Sequence, residues 1–330
     1  MSKLGLGLIG CGRMGRALAA VIREHVPDAP MVAGCDPFPG SREEFTRELG
    51  APATNSLEEL LAREDIGAVL VASPNDLHCS QTVAAAEAGK HVFCEKPMAL
   101  SVADCDRMIA ACGAAKAKLM VGHNTRLQPL CRRLREVAES GELGEPLYGY
   151  ANYLFDGFKR RDSGAWHLDR RHSGGVLFHM GIHQIDLFHA IFGPTRRVQY
   201  AGGRYGTQVH DFDDVATILM EFHSGATAVI SVSALAAAPT RDMHFLFSRG
   251  YAVLDSPYTW LEYAAHGQEA TRVEAQSLPY PDSTELELSS FVGWVLRNEP
   301  PVLTAAEGRA AVAVAEAADR AKQVEGAVAL

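Results

Sequence analysis

The feature that most constrains this chain is the apolar run Leu4-Gly5-Leu6-Gly7-Leu8-Ile9, which passes straight into Gly10-Cys11-Gly12-Arg13-Met14-Gly15. A short apolar run closed by a glycine cluster predicts a buried strand. The apolar positions Ala17, Leu18, Val21 and Ile22 then recur at helical spacing. The chain therefore starts as strand, tight turn and helix. Each glycine of Gly10-x-Gly12-x-x-Gly15 has its own task. Gly10 permits the sharp turn, Gly12 lets a phosphate approach the backbone, and Gly15 lets helix and strand touch. Amides at a helix start have no partner inside the helix and favour an anion, so Gly10, Gly12, Arg13, Met14 and Gly15 are expected to cradle a pyrophosphate.

The next strand, Met31-Val32-Ala33-Gly34-Cys35, ends at Asp36, roughly two dozen positions after Gly12. A carboxylate there accepts the ribose hydroxyls of an adenosine and repels a 2′-phosphate. Pro37 brings no base to hold such a phosphate, and Arg42 is the nearest residue that does. NAD is thus expected in preference to NADP.

At 330 residues the chain exceeds the usual size of one domain, so two are expected. Its hydrophobic content of 47% and charged content of 22% are those of an ordinary globular protein. A net charge of −9 argues against a nucleic-acid or anionic-membrane partner. No apolar run reaches membrane-spanning length. The seven cysteines all fall in the first half, without CxxC spacing, which suits reduced thiols better than a disulfide framework. Together with a start directly at the first strand, this predicts a cytoplasmic protein.

Strands and helices alternate through residues 1–123, which predicts an α/β domain with a doubly wound parallel sheet. Helices are expected at 41–49, 57–63, 78–88 and 102–115, and strands at 66–72, 91–94 and 119–122. From 124 to 330 the pattern changes. Alternating runs at 148–155, 215–222, 227–235, 243–247 and 251–254 predict strands, with helices at 129–140, 285–296 and 305–324. That is an α+β domain with a large, mainly antiparallel, open-faced sheet.

Two clusters carry chemistry. Glu95-Lys96-Pro97 follows a parallel strand at its carboxyl end, where open α/β sheets place ligands. Lys96 there is an acid/base group if burial lowers its pKa, and otherwise an ordinary turn lysine. In the second cluster, Gly174-Gly175 leads into a helix on which His179, His183 and Asp186 share one face. The two histidines suit an acid/base relay, two members of a metal site with Asp186 or His167, or simple packing.

In this order, Gly10-x-Gly12-x-x-Gly15, Ser73-Pro74-Asn75-x-x-His78, Glu95-Lys96-Pro97, Asn124-x-Arg126, Gly174-Gly175 and Gly181-Ile182-His183-x-x-Asp186 resemble the glucose–fructose oxidoreductase / inositol dehydrogenase (Gfo/Idh/MocA) family over nearly the whole length. The resemblance implies an N-terminal Rossmann domain and a C-terminal domain that associates through its open sheet, as a homodimer or homotetramer. It implies NAD-linked oxidation of a secondary hydroxyl of a sugar, polyol or related small molecule. Members that pass hydride out and back within one turnover act as hydrolases or lyases, and a nucleotide sensor without catalysis is a third reading. Lys96 and His183 match the family's catalytic lysine and histidine. Ser73, Pro74, Asn75 and His78 match the turn over the nicotinamide ribose, with Glu95 and Lys96 beside it. Arg126 matches a residue that holds a substrate or a structural carboxylate. Expected substrate contacts are Arg126, Trp166, His179 and His183, with His179 also counted as catalytic and no metal. The family often has aspartate where this chain has His179, which turns the expectation away from an inositol-like substrate.

Overall fold

The structure, a computed structural model, describes residues 3–156, 166–206, 210–255, 258–324 and 326–330. Two compact units form, Met1–Asn124 with Asp282–Arg309, and Thr125–Pro281 with Ala310–Leu330.

The first unit opens with β1 (Leu6–Ile9), α1 (Arg13–His25), β2 (Met31–Cys35), α2 (Pro39–Leu49), β3 (Ala53–Thr54) and α3 (Leu57–Leu61). It continues with β4 (Ala68–Val71), α4 (His78–Glu87), β5 (His91–Glu95), α5 (Val102–Ala114) and β6 (Leu119–Gly122). The six strands pair in parallel in the order β3-β2-β1-β4-β5-β6. Strands β1, β4 and β6 are buried at every position, as expected of a sheet covered on both faces. The strand order reverses between β1 and β4, and that switch opens a crevice at their carboxyl ends. Ser56 and Ser101 cap α3 and α5 by accepting the amides of Glu59 and Asp104.

The second unit holds α6 (Pro129–Glu139), β7 (Pro146–Asp156), α7 (Arg170–Ser173), α8 (Ile182–Phe192) and β8 (Thr195–Gly203). Next come β9 (Val215–Phe222), β10 (Thr227–Ser233), β11 (Leu235–Thr240), β12 (Met243–Phe247), β13 (Gly250–Leu254), β14 (Trp260–Ala265) and β15 (Thr271–Glu274). A ten-stranded sheet runs β15-β14-β13-β12-β7-β10-β9-β8-β16, where β16 is Val328–Ala329, and β11 pairs with β7. Among the described residues of this sheet only β7 and β10 pair in parallel. Burial alternates along β9 and β10, so one face is covered and the other half-open. Helix α8 covers the buried face. Phe188 meets Phe245 at 5.5 Å between ring centroids, and Phe192 meets Phe222 at 5.0 Å.

The expected fold class holds in both units, and all seven cysteines are unpaired and buried. Among the described residues no helix is long and apolar enough to cross a membrane. Three details differ from the sequence reading. Strands β3, β8, β11, β14, β15 and β16 and the short helix α7 were not expected. The helix at Gly174-Gly175 opens with a π-helical stretch, Leu177–Gly181, before α8. And a segment placed beyond the 123/124 boundary, Asp282–Arg309, groups with the first unit.

That segment carries α9 (Ser283–Arg297), and α10 (Ala305–Ala321) begins within it. On α9, Phe291 meets Phe93 of β5 edge-on at 5.8 Å. His25 of α1 lies 3.3 Å from the Glu285 carboxylate. At Gly308 a Cβ would fall 2.8 Å from Val121 of β6, so only glycine lets α10 approach that strand. Because Phe291 is fully buried in this contact, Phe291→Ala is expected to cost about 3–5 kcal/mol. Urea unfolding of the variant checks this, and a cost below about 1 kcal/mol would contradict the assignment of α9 to the core of the first unit.

Candidate active site

In the first unit the glycine turn has the shape its residues predict. Gly10 has φ +93°, and a Cβ there would meet the Ala72 carbonyl at 2.7 Å. A Cβ on Gly15 would fall 2.0 Å from the Gly10 carbonyl, so helix α1 and the turn are in backbone contact. At Gly12 nothing lies within 4 Å of that position, which leaves open space above the backbone. Gly12 is also the residue that caps α1, and it offers no side chain to the first-turn amides. Those amides, from Arg13 and Met14 onward, are orphans aimed at the open space.

Asp36 closes the end of β2. It is 7% exposed, and its two carboxylate oxygens accept the amides of Cys11 at 2.9 Å and Phe38 at 2.8 Å. Each oxygen keeps a second lone pair for a ribose hydroxyl. Arg42 donates to the carbonyls of Asp36 at 2.7 Å and Pro37 at 2.9 Å. Orphan amides, a cradle that only glycine permits and a fixed carboxylate are the donor and acceptor set of a dinucleotide, and these residues fit one.

The Ser73–His78 turn differs from the expectation in one respect. His78 is buried, with Nδ1 2.8 Å from the Pro97 carbonyl and Nε2 3.0 Å from the Ser73 carbonyl. Both ring nitrogens face carbonyls inside the protein, and the neutral ring donates to one of them, so His78 braces the turn rather than offering an atom to a cofactor. Burial lowers its pKa, and the two carbonyls oppose that shift. Ser73 donates to Gln81 at 2.6 Å, and Asn75 is buried at the start of the short helical turn Asn75–Leu77.

Lys96 stands just past the end of β5 and is joined to Pro97 by a cis peptide. The Lys96 amide donates to the Glu95 carboxylate at 3.1 Å. Burial pushes the Lys96 ammonium toward the neutral amine, and the Glu95 charge resists that push. Glu95 is itself raised by burial, with Lys96 opposing. Dry surroundings thus weaken both charges, while their proximity partly preserves them.

In the second unit His183 and Asp186, on α8, face a short helical turn at Asn124–Leu127. Thr125 Oγ1 lies 3.0 Å from His183 Nδ1. Arg126 grips Asp186 with two donors, Nε to Oδ2 at 2.6 Å and Nη2 to Oδ1, and the side chains are 5% and 1% exposed. Of the two roles open to Arg126, substrate holder or partner of a structural carboxylate, its fork takes the second. Asp186 is likewise engaged, so it does not join the histidines as a ligand. His179 belongs to the π-helical stretch and has other neighbours. It meets Trp166 edge-on at 5.6 Å and His167 at 6.3 Å, while His183 faces Thr125. Thr125 escaped the sequence reading because it is the unspecified middle residue of Asn124-x-Arg126.

Family models agree with this architecture. The oxidoreductase-family NAD-binding Rossmann model (GFO_IDH_MocA) matches residues 4–123, and the GFO/IDH/MocA C-terminal domain matches residues 131–253. The chain is 31% identical to the myo-inositol 2-dehydrogenase of Thermotoga maritima, over 98% of both chains. It is 33% identical to the 2,7-anhydro-N-acetylneuraminate hydratase of Mediterraneibacter gnavus, over 70% of this chain. That match spans about three fifths of the hydratase, 61% of its length. Among solved structures, the aldose-aldose oxidoreductase of Caulobacter crescentus, complexed with glycerol, superposes with a TM-score of 0.89 at 25% identity, covering 99% of this chain and 100% of that one.

The Arg126–Asp186 pair is expected to support the fold through its burial. Arg126→Ala leaves a buried carboxylate without its partner and should cost about 3–5 kcal/mol. Arg126→Met combined with Asp186→Leu should recover most of that loss. Denaturant unfolding of both variants checks this, and an Arg126→Ala protein of wild-type stability would contradict it.

Proposed function

The chain belongs to the GFO/IDH/MocA oxidoreductase family, and from that premise we propose that it oxidises a secondary hydroxyl of a sugar, polyol or related small molecule, with NAD as cofactor. The observation that carries the reading is Lys96, which burial drives toward the neutral amine at the carboxyl end of β5, in the unit that bears the nucleotide cradle. When bound, NAD supplies a hydride acceptor at nicotinamide C4. The amides after Gly12 and the Asp36 carboxylate would hold its pyrophosphate and adenosine ribose. Ser73, Pro74, Asn75, Glu95 and Lys96 are the proposed surroundings of its nicotinamide end.

The remaining work is proton transfer and positioning. In our reading the Lys96 amine takes the carbinol proton as the C–H bond is broken. His183 would bond a substrate oxygen through Nε2, while Thr125 orients the ring at Nδ1. Trp166 and His179 brace one another and are proposed as substrate contacts. Arg126 acts indirectly, through Asp186 on the helix that carries His183. The 2,7-anhydro-N-acetylneuraminate hydratase relative supports a second reading, in which hydride leaves and returns within one turnover and no NADH accumulates. A sensor would have no use for a lysine pushed toward its neutral amine at this position.

The half-open face of the ten-stranded sheet supports association of the chain with copies of itself, as a dimer or tetramer. Tyr148 of β7 and Leu246 of β12 pair in register on it, 37% and 45% exposed. Seven buried free thiols support a cytoplasmic location.

Incubation with NAD and a panel of sugars and polyols tests the central reading. NADH appearance is the expected result, product without NADH supports the second reading, and neither contradicts both. Lys96→Ala is expected to lower turnover by roughly a hundredfold to ten-thousandfold, with NAD affinity retained as measured by calorimetry. Because Lys96 is lowered, its amine is available above that depressed value. Oxidation should therefore rise with pH and level off below the ordinary lysine range. Asp36→Ala should relax the preference for NAD over NADP, and a wild-type preference for NADP would contradict the role given to Asp36.

A further inference from the structure

The stretch from Trp166 to His179 closes on itself. Trp166 meets His179 edge-on at 5.6 Å, and His167 lies nearly parallel to the same imidazole at 6.3 Å. Between them the chain reverses. Asp169 caps α7 by accepting the Arg171 amide, and its carbonyl takes the Ser173 hydroxyl at 2.9 Å. Gly174 and Gly175 then hold φ of +77° and +85°, which other residues rarely adopt. The His179 amide donates to the Gly175 carbonyl at 3.0 Å. Burial gives the first half of this stretch little hold on the second unit, since residues 166–172 are half-buried or exposed.

The fastenings on α7 are polar. The Arg170 amide donates to Asp211 Oδ1 at 2.7 Å, and its guanidinium donates from Nη2 to Asp319 Oδ2 at 2.7 Å. Asp319 stands on α10, so α7 is tied both to that helix and to the segment before β9. The same segment braces the glycine turn. A Cβ at Gly175 would fall 3.3 Å from the Phe212 Cβ, and Phe212 stacks on His210 at 4.6 Å. Asp213 accepts the Tyr200 hydroxyl from β8, and Lys322 Nζ, just past α10, at 2.7 Å. Asp214 accepts the amides of Tyr205 at 2.8 Å and Gly206 at 2.9 Å. Residues 211–214 thus form a strip held from several sides, and α7 is set against it. All of these groups lie in the second unit.

We infer that Arg170 is a positioning residue for the proposed substrate contacts Trp166 and His179: its bonds to Asp211 and Asp319 fix α7, and α7 sets the turn that lays the indole against the imidazole. The inference rests on the reading of Trp166 and His179 as substrate contacts. The side chains of the Arg170–Asp319 pair are 40% and 30% exposed. An ion pair so open to water contributes little to global stability, so its effect is local. Without the guanidinium bond, α7 loosens and Trp166 leaves His179 while the ten-stranded sheet stays folded. A substrate that uses both rings then meets them less often in place, so binding weakens more than turnover.

The direct test follows the fluorescence of Trp166 alone, in the full chain carrying Trp260→Phe and Trp294→Phe. Against that background Arg170→Gln and Asp319→Asn are each expected to shift the emission to longer wavelength and to increase quenching by acrylamide. The urea midpoint should stay where it was. Arg170→Lys keeps a cation for Asp319 and should remain near the parent. Emission and quenching unchanged in both Arg170→Gln and Asp319→Asn would overturn the inference. A merely structural Arg170 would move the emission only together with the urea midpoint, and that result would overturn it too. With a substrate found in the hydroxyl panel, Arg170→Gln should raise KM about threefold to tenfold and leave kcat within about twofold. A fall in kcat at unchanged KM would contradict the positioning role. Failure of the dehydrogenase reading would show separately, as no NADH from the panel with the emission shift intact.

Discussion

The contact on which the first unit depends is between two pieces of backbone. A Cβ at Gly15 would stand 2.0 Å from the Gly10 carbonyl, closer than any side chain can come. Because no side chain intervenes, α1 starts directly over the end of β1. Its first amides open above Gly12, where nothing fills the space. Asp36 then ties the turn to β2 through the Cys11 amide. Orphan amides and a helix dipole there suit an anion such as a pyrophosphate.

The second controlling term is desolvation at the end of β5. Glu95, Lys96 and Glu287 are each pushed toward their neutral forms, and the push exceeds the attraction between Glu95 and Lys96. A single opposite charge at short range offsets burial only in part. The contact between Arg126 and Asp186 is of another kind. There a bidentate fork satisfies the carboxylate inside the second unit. One buried ionic contact is satisfied by a two-donor fork, and at the other burial outweighs the attraction of a single opposite charge.

Backbone constraints were legible in the sequence because they demand particular residues. Gly10, Gly15 and the strand ending at Asp36 could be read directly, as could the parallel sheet from its continuous apolar strands. Edge strands were not. Thr195–Gly203 and Thr271–Glu274 carry few apolar residues and show no clean alternation, since much of their length faces outward. Strand β11 ran on from β10 without a turn signal. The π-helical stretch at Leu177–Gly181 has no distinctive composition. The return of Asp282–Arg309 to the first unit is a tertiary fact, because an amphipathic helix does not say which sheet it will cover. Side-chain commitments were the least legible. Spacing placed His78, Arg126 and His179 at the right turns, but not the carbonyls, the carboxylate or the indole that occupy them. Nothing in the sequence singled out Glu287, within the helix expected at 285–296.

The account turns on burial lowering the Lys96 ammonium toward the neutral amine, with Glu95 opposing that shift. The most direct measurement is the titration of that single amine in the wild-type protein, by pH-dependent acylation resolved by mass spectrometry. The account predicts a midpoint clearly below that of an ordinary lysine, shifted further down in Glu95→Gln. A midpoint in the ordinary lysine range, near 10.4, and unmoved by that substitution, would contradict it.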